Sequence, residues 1–257
     1  RVLRPRVARG LILVRMSTEL DRAAQLIARS ARLCVSTGAG MSVESGLDTF
    51  RGEDGLWSKV KIEEMATPGA FRRDPAKVWA WYRWRRSRLA SVEPHEGHRV
   101  LARWEERLPH VTIVTQNIDG LHHRAGSKRV FELHGRLDVA RCTYCDYTIQ
   151  TLEDLGEDPG WPVCMKRMRP AGGWVGAQLP ADQLESAFGA AQSCDVFLII
   201  GTSGVVQPAA SLCDMAKLNG AAIVEINPNP SDLTHLADVS LRSGCRDALT
   251  ALERLVA

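Results

Sequence analysis

The sequence predicts an α/β fold: a doubly wound, Rossmann-like parallel sheet with a second, smaller zinc-knuckle and helical domain inserted into it. Three observations carry this. Val196–Ile200 is a continuous apolar run with the character of a strand buried on both faces, and the largely apolar Leu33–Ser36 and Ala222–Ile226 also read as strands. Stretches with helical periodicity, ten residues or longer, separate such runs, as parallel crossovers require. Between Arg136 and Pro180 that rhythm dissolves into Cys, Gly, Pro and turn residues, as expected of a loop-rich insertion.

The elements follow in order. Residues 1–15 carry five arginines and no acid. They lack an apolar signal core, so they read as a disordered leader ahead of Met16. Leu20, Ala23, Ala24, Ile27 and Ala31 recur at helical spacing, which predicts a helix over Thr18 to Ser30. The run ending at Ser36 enters Thr37-Gly38-Ala39-Gly40, a strand running into a glycine turn. From Asp54 to Arg88 the chain is rich in Trp, Arg and Lys, with a helix around Pro75 to Leu89. Val111–Thr115 is a β-branched strand closed by Gln116-Asn117-Ile118-Asp119-Gly120, and Val130–Gly135 is another short strand with a glycine end. After the cysteine segment, a helix runs to Ser193, then the Val196–Ile200 strand. A helix over Pro208 to Leu218, the Ala222–Ile226 strand and a helix over Asp247 to Val256 complete the chain. Residues 16–257 thus form the main unit, of which 53–95 and 138–179 make up the small module.

Composition narrows the function. A chain of 257 residues suits one large domain, or one large and one small. With 45% hydrophobic and 25% charged residues, disorder and coiled coil are poor readings. A net charge of +3 offers no argument for a nucleic-acid or membrane partner. No apolar run approaches the ~20 residues of a membrane span. Seven cysteines, an odd number spread along the chain, do not make a disulfide framework. Free thiols indicate a reducing compartment, hence a cytoplasmic location.

Five places carry chemistry. Gly38-Ala39-Gly40 after a strand lets backbone approach a pyrophosphate, although such a turn also serves plain strand–helix packing. The third glycine of the dehydrogenase fingerprint would fall at Val43, so hydride transfer is disfavoured. Gln116, Asn117 and Asp119 sit at a strand's C-terminal end, where ligands of open α/β sheets gather; alone they are equally an Asx-type turn. His134, also at a strand end, is the candidate general base, with His122 and His123 as rivals and His95 and His110 less well placed. Cys142, Cys145 and Cys164 are three thiols of a metal knuckle. The fourth, expected at position 161, is Trp161. Asp158 or Asp154 could complete the set, and a metal-free or redox-active knuckle stays open. Finally, Tyr82 and Arg85 share a helix face, where a phenol and a guanidinium suit a carboxylate; a solvated basic face is the plain alternative.

In this order the pieces resemble the sirtuins, NAD-dependent protein-lysine deacylases. The matching stretches are Thr37-Gly38-Ala39-Gly40-Met41-Ser42 through Ser45-Gly46, Thr49-Phe50-Arg51-Gly52, Gln116-Asn117-Ile118-Asp119 and Leu133-His134-Gly135. Cys142-x-x-Cys145, Gly201-Thr202-Ser203 and Glu225-Ile226-Asn227 follow. Within the family the chain is similar to class III, with Thr49 before Phe50-Arg51 and with Tyr82 and Arg85 where that class reads malonyl-, succinyl- or glutaryl-lysine.

The resemblance implies that acyl-lysine's carbonyl oxygen attacks C1′ of the nicotinamide ribose and releases nicotinamide. His134 then acts as base on a ribose hydroxyl, giving free lysine and O-acyl-ADP-ribose. It implies that Asn117, Asp119, Ile118 and Gln116 place the nicotinamide ribose and carboxamide. Gly38, Ala39, Gly40, Ser42, Thr49, Phe50, Arg51 and Trp57 would line the cofactor, Gly201, Thr202 and Ser203 its phosphate and ribose. Asn227 would bind the adenosine ribose and the Cys245 backbone the adenine. Cofactors would be NAD and one Zn2+ on Cys142, Cys145 and Cys164. The partner would be an acylated protein or peptide, the chain a monomer.

Three departures stand out. Asp48 replaces a usual proline in the cofactor loop, Trp161 removes a zinc ligand, and Gly172–Ala177 reads Gly-Gly-Trp-Val-Gly-Ala where the family's peptide-pairing strand is apolar. Two glycines weaken such a strand. These changes leave room for two alternatives: a weakly active NAD-binding sensor or scaffold, or a peptide-independent NAD hydrolase or ADP-ribosyltransferase.

Overall fold

The computed structural model describes residues 19–49, 55–56 and 60–256. The arginine-rich leader and Phe50, Arg51, Gly52 and Trp57 lie outside the described residues.

β1 (Leu33–Thr37) is the centre of a six-stranded parallel sheet. It pairs with β2 (Val111–Thr115) on one side and β7 (Val196–Ile200) on the other, in register from Leu33↔Val111 and Leu33↔Val196. β3 (Val130–Glu132) lies beyond β2; β8 (Ala222–Ile226) and β9 (Val239–Leu241) lie beyond β7. The order is β3-β2-β1-β7-β8-β9, so the winding reverses between β1 and β7. That is the switch point of a doubly wound sheet, where ligands settle at the strands' carboxyl ends.

Alternation within the strands makes both faces apolar. Leu33, Val35, Ile113, Leu198 and Val224 point to helices α1 (19–29), α3 (Glu96–Arg107) and α6 (Cys245–Glu253), packing with Ile27, Leu101, Trp104 and Leu249. Cys34, Val114, Phe197, Ile199 and Ile223 point the other way, to α4 (Ala181–Ser193) and α5 (Ser211–Leu218). Every residue of β1, β2 and β7 is buried, the apolar run of β7 and the Ser and Thr of β1 and β2 included. Cys34, Cys194 and Cys213 are buried there too, and burial pushes their thiols above the ordinary range, Cys213 to about 12.

A third apolar cluster stands apart from both faces. It joins Trp79, Trp81 and Tyr82 of α2 (Pro75–Ala90), and Phe71, to Ala140, Cys142, Met168 and Trp174. Its scaffold is a small antiparallel sheet, β4 (Val139–Cys142) between β5 (Thr148–Gln150) and β6 (Met168–Pro170). The Arg86 guanidinium binds this segment from α2, donating through Nη2 to the carbonyls of Thr151 and Glu153 while 2% exposed.

Several boundaries differ from the sequence expectation. β3 stops at Glu132, because Gly135, with φ of 66°, turns the chain sharply after it. The helix expected from Pro208 begins at Ser211, and the last helix runs Cys245–Glu253 rather than Asp247–Val256. Gly172–Ala177 is not a strand: its backbone is taken up by single bonds, Gly173 N–H to the His134 carbonyl and Val175 N–H to Ala66 O at 2.8 Å.

Candidate active site and metal centre

The two glycine turns meet backbone to backbone at the switch point. Gly38 N–H donates to Ile200 O at 3.0 Å and Gly40 N–H to Gly201 O at 2.8 Å. A Cβ on Gly40 would stand 2.7 Å from Gly201 Cα, and one on Gly38 would stand 2.8 Å from Gly201 O. Neither position can therefore carry a side chain, and Gly201 also has a positive φ of 59°. Ala39, between them, begins a 3-10 turn that runs to Ser45.

The polar side chains of the strand ends knit around these turns. Asn117 Nδ2 donates to Gly38 O at 2.9 Å and to Ser42 Oγ at 3.3 Å. Ser42 Oγ donates to Asp119 Oδ2 at 2.7 Å, and Leu121 N–H to Asp119 Oδ1 at 2.9 Å. Gln116 Nε2 reaches Thr202 Oγ1 at 3.2 Å, and Asn227 Nδ2 reaches Thr202 O at 2.8 Å. Cys245 Sγ contacts Gly40 O at 3.5 Å. Ser203 is exposed beside them, and Thr49 lies further along the loop from Ser42, its carbonyl accepting from Leu56 N–H at 2.9 Å. Ile118 is buried at the edge of the third cluster. The structure thus brings Gly38, Gly40, Ser42, Asn117, Asp119, Gln116, Gly201, Thr202, Asn227 and Cys245 together. Backbone turns too tight for a Cβ, ringed by hydrogen-bonding side chains, fit a dinucleotide such as NAD.

Asp119 is buried among these groups, and desolvation raises its carboxyl above the ordinary range against the hydrogen bonds it accepts. Arg85 contributes a counter-charge. Both residues line one cleft with Ala39, Ser42, Asn117, Leu47, Asp48, Trp84 and Arg88. Asp48, the residue found in place of a proline, pairs with Arg88 at 3.8 Å at that cleft.

His134 sits in the turn after β3. Its Nδ1 is 2.9 Å from Gln116 O. A carbonyl only accepts, so Nδ1 carries the proton and Nε2 holds the lone pair. Burial lowers the pKa from its usual value, which keeps the ring neutral near pH 7. This is the state a general base needs. Its rivals have structural duties. His95 accepts from Gly97 N–H at 2.9 Å as a helix cap, and His123 faces Glu132 at 3.5 Å. His110 is exposed at the far end of β2.

His122 belongs to a hydrogen-bond network that sequence reasoning missed. Thr37 Oγ1 donates to Thr115 Oγ1 at 2.8 Å, so it accepts from His122 Nε2 at 3.0 Å. Asn117 N–H in turn donates to Thr115 Oγ1 at 3.0 Å. From Asn117 the network continues through Ser42 and Asp119 to the Leu121 N–H, the residue before His122. Two threonines at the ends of fully buried neighbouring strands were its sequence signal.

Tyr82 and Arg85 do share a face, but they play different parts. Tyr82 is 1% exposed, and Trp174 Nε1 donates to its hydroxyl at 3.0 Å. The hydroxyl proton then remains for another acceptor. Arg85 is half-buried, with its guanidinium 4.9 Å from the Trp81 ring and 5.9 Å from that of Tyr82. Gly173 has a local reason, whereas a side chain at Gly172 would make only ordinary contact. A Cβ at Gly173 would lie 3.1 Å from His134 Cα and O, and one at Gly172 would lie 3.5 Å from the Tyr82 ring. The expectation of a weakened peptide strand gives way to a non-strand segment seated against His134 and Tyr82. Trp174 was missed, because only the fold places it beside Tyr82.

Cys142, Cys145 and Cys164 converge. Their Sγ atoms lie within 4.8 Å of one another, at 3.5 Å for Cys142–Cys164 and 3.7 Å for Cys145–Cys164. Tetrahedral Zn2+ with bonds of about 2.3 Å sets thiolates about 3.8 Å apart, so the three fit a zinc. Backbone N–H donation, largest from Cys145, holds the Cys142 thiol down at about 7. The carboxylates suggested as fourth ligand do not join them. Asp158 is held by Arg167 at 2.6 Å, and Asp154 by Arg83 at 3.5 Å and Gly156 N–H at 2.9 Å. Trp161 stacks on Tyr147, 3.3 Å between centroids.

Among the described residues no helix is long and apolar enough to cross a membrane. Comparison with known proteins agrees with the site. The Sir2 family profile matches residues 38–208. An NAD-dependent protein deacylase of Aquifex aeolicus is 48% identical over 80% of this chain and 87% of its own. A Sir2 homolog solved in complex with NAD superposes with a TM-score of 0.87 at 42% identity, covering 92% of this chain and 93% of that one. Sir2Af2 bound to a myristoylated histone peptide superposes at 0.76 and 31% identity, covering 93% and 97%. Both glycine turns, Ser42, Asn117, Asp119, His134 and the convergent thiols fall within the matched span, and this chain belongs to the Sir2 family.

Proposed function

We propose that the protein is an NAD-dependent protein-lysine deacylase that favours acidic acyl groups such as succinyl, malonyl and glutaryl. The observation that carries the preference is Arg85, a half-buried guanidinium lining the same cleft as Asn117 and Asp119, 5.9 Å from the ring of the buried Tyr82. A planar fork of donors in a partly desolvated cleft recognises a carboxylate strongly.

When bound, NAD would supply an electrophilic ribose carbon for the acyl oxygen, with nicotinamide as its leaving group. The chain's residues do the rest. Asn117 and Asp119 orient the nicotinamide ribose and carboxamide, and Gln116 the ribose. The turns at Gly38–Gly40 and Gly201–Ser203 would hold the phosphates, and Ser42, Thr49, Phe50, Arg51 and Trp57 would serve the cofactor side. Asn227 and the Cys245 backbone take the adenosine end. His134 Nε2 removes a proton from a ribose hydroxyl, which then captures the acyl group. Residues 53–95 and 138–179 act as the substrate-side module.

The test compares succinyl- and acetyl-lysine peptides. The wild type should favour succinyl. Arg85→Met should lower kcat/KM for succinyl roughly 100-fold, as expected when a buried carboxylate loses its partner, and leave acetyl within a few-fold. Equal or better turnover of acetyl by the wild type would refute the preference.

One observation favours a second reading, an NAD-binding sensor without deacylase activity: Gly172–Ala177 forms no strand for a peptide to join. That reading predicts NAD binding with no nicotinamide release on any acyl-peptide.

A further inference from the structure

We infer that the cysteine knuckle is a three-thiolate metal site whose fourth coordination position is filled from outside the chain, by water at rest and by a small-molecule thiolate when one is present.

The first argument is geometric. The Sγ separations, 3.5 and 3.7 Å with the third within 4.8 Å, let three thiolates share one metal. The second is an inventory of donors. Among the described residues no other Cys, His, Asp or Glu joins the cluster. Of the residues outside that set, 1–18 contain none of these four types, and only Glu53 and Asp54 bear a ligand group. The third is the fate of position 161. An indole offers only an N–H donor and cannot ligate, and Trp161 is committed to its stack on Tyr147. Its backbone is committed as well, Trp161 N–H donating to Lys166 O at 2.8 Å and Met165 N–H to Trp161 O at 2.9 Å.

The surroundings say where the open position lies. Cys142 is buried, whereas Cys145 and Cys164 are half-buried. The residues beside them, Tyr144, Val163 and Met165, are among the most exposed apolar side chains, at 76%, 79% and 81%. The buried thiol anchors the metal on the module's core, and the side opposite faces solvent. A closed structural site needs four protein ligands; an open position exchanges its ligand. A soft donor suits a metal already held by sulfur, which selects a thiolate over an oxygen ligand.

The experiment uses the full chain loaded with Co2+, whose thiolate-to-metal absorption grows with the number of thiolates. The wild type should show a tetrahedral spectrum that changes saturably on adding 2-mercaptoethanol. Its charge-transfer intensity should rise by about a third as three thiolates become four. Trp161→Cys should show the higher intensity without added thiol and no response to it. The Glu53→Gln, Asp54→Asn double variant should match the wild type. A wild-type spectrum indifferent to added thiol, a spectrum altered in the double variant, or less than about a tenth of an equivalent of bound metal would each overturn the inference. None of these readouts depends on deacylase activity.

Discussion

The carboxyl ends of the parallel strands and the cysteine module are stabilised by different means. At the strand ends, backbone meets backbone: Gly38, Gly40 and Gly201 interlock with no space for a Cβ, and a chain of hydrogen bonds among polar side chains fixes Asn117 and Asp119. In the module, long side chains do the holding. Arg86 clasps the Thr151 and Glu153 carbonyls, Trp79 Nε1 donates to Met168 O at 3.1 Å, and three thiols converge where four would close a metal site. The first arrangement tolerates almost no substitution. The second has already absorbed Trp161 and two glycines. Chemistry common to a family belongs on the rigid region, and variation in substrate on the adaptable one.

The largest expected effect lies on the rigid side. His134→Ala should lower kcat by about 10²–10⁴-fold, with NAD affinity by calorimetry unchanged. Turnover near that of the wild type would remove His134 from the chemistry.

Arg86→Met should cost about 1.5–3 kcal/mol, the range for hydrogen bonds from a charged donor, and the loss should be local. Hydrogen exchange should quicken at β4, β5 and β6 and stay slow in β1, β2 and β7. Uniform quickening would mean the two regions unfold as one.

The buried histidines give the rigid side a pH dependence. Burial lowers His122 to about 3, and His98 still further. The unfolded chain takes up these protons below about 6.5 while the folded chain does not, so stability is full above that pH and falls as pH drops toward 3. His122 alone should contribute a slope approaching about 1.4 kcal/mol per pH unit. Urea unfolding at pH 7.5 and 5.0 should show that excess loss in the wild type relative to His122→Gln, which keeps a donor to Thr37 but does not titrate. Equal losses would show that His122 is protonated in the fold.

The smallest effect joins the two regions. Trp174→Phe removes the donor to Tyr82 and should reduce the succinyl-over-acetyl ratio about threefold, in line with a hydrogen bond of about 0.5–1 kcal/mol. An unchanged ratio would separate Tyr82 from acyl recognition.

The same contrast explains what the sequence made legible. β2, β7 and β8 fall where the sequence places them: β7 through its continuous apolar run, β2 through its β-branched residues and β8 through its largely apolar stretch. Gly38, Asn117, Asp119 and His134 were readable as strand-end residues, since that position is itself a function of topology. Trp174 was not: its link to Tyr82 spans 92 positions and has no local sign. The seating of Gly173 against His134 was hidden for the same reason. The helix limits near Pro208 and Asp247 shifted because periodicity marks a helix's face better than its ends. The absent fourth ligand was visible at Trp161, whereas the engagement of Asp154 and Asp158 by Arg83 and Arg167 needed the fold.

The central claim is that the rigid strand ends perform acyl-dependent NAD cleavage, and nicotinamide release tests it most directly. Measured with NAD alone, with an acetyl-lysine peptide and with a succinyl-lysine peptide, release should be negligible without peptide, largest with succinyl, and equal in amount to the lysine freed. NAD loss at the same rate without peptide, or no release with either peptide, would contradict it.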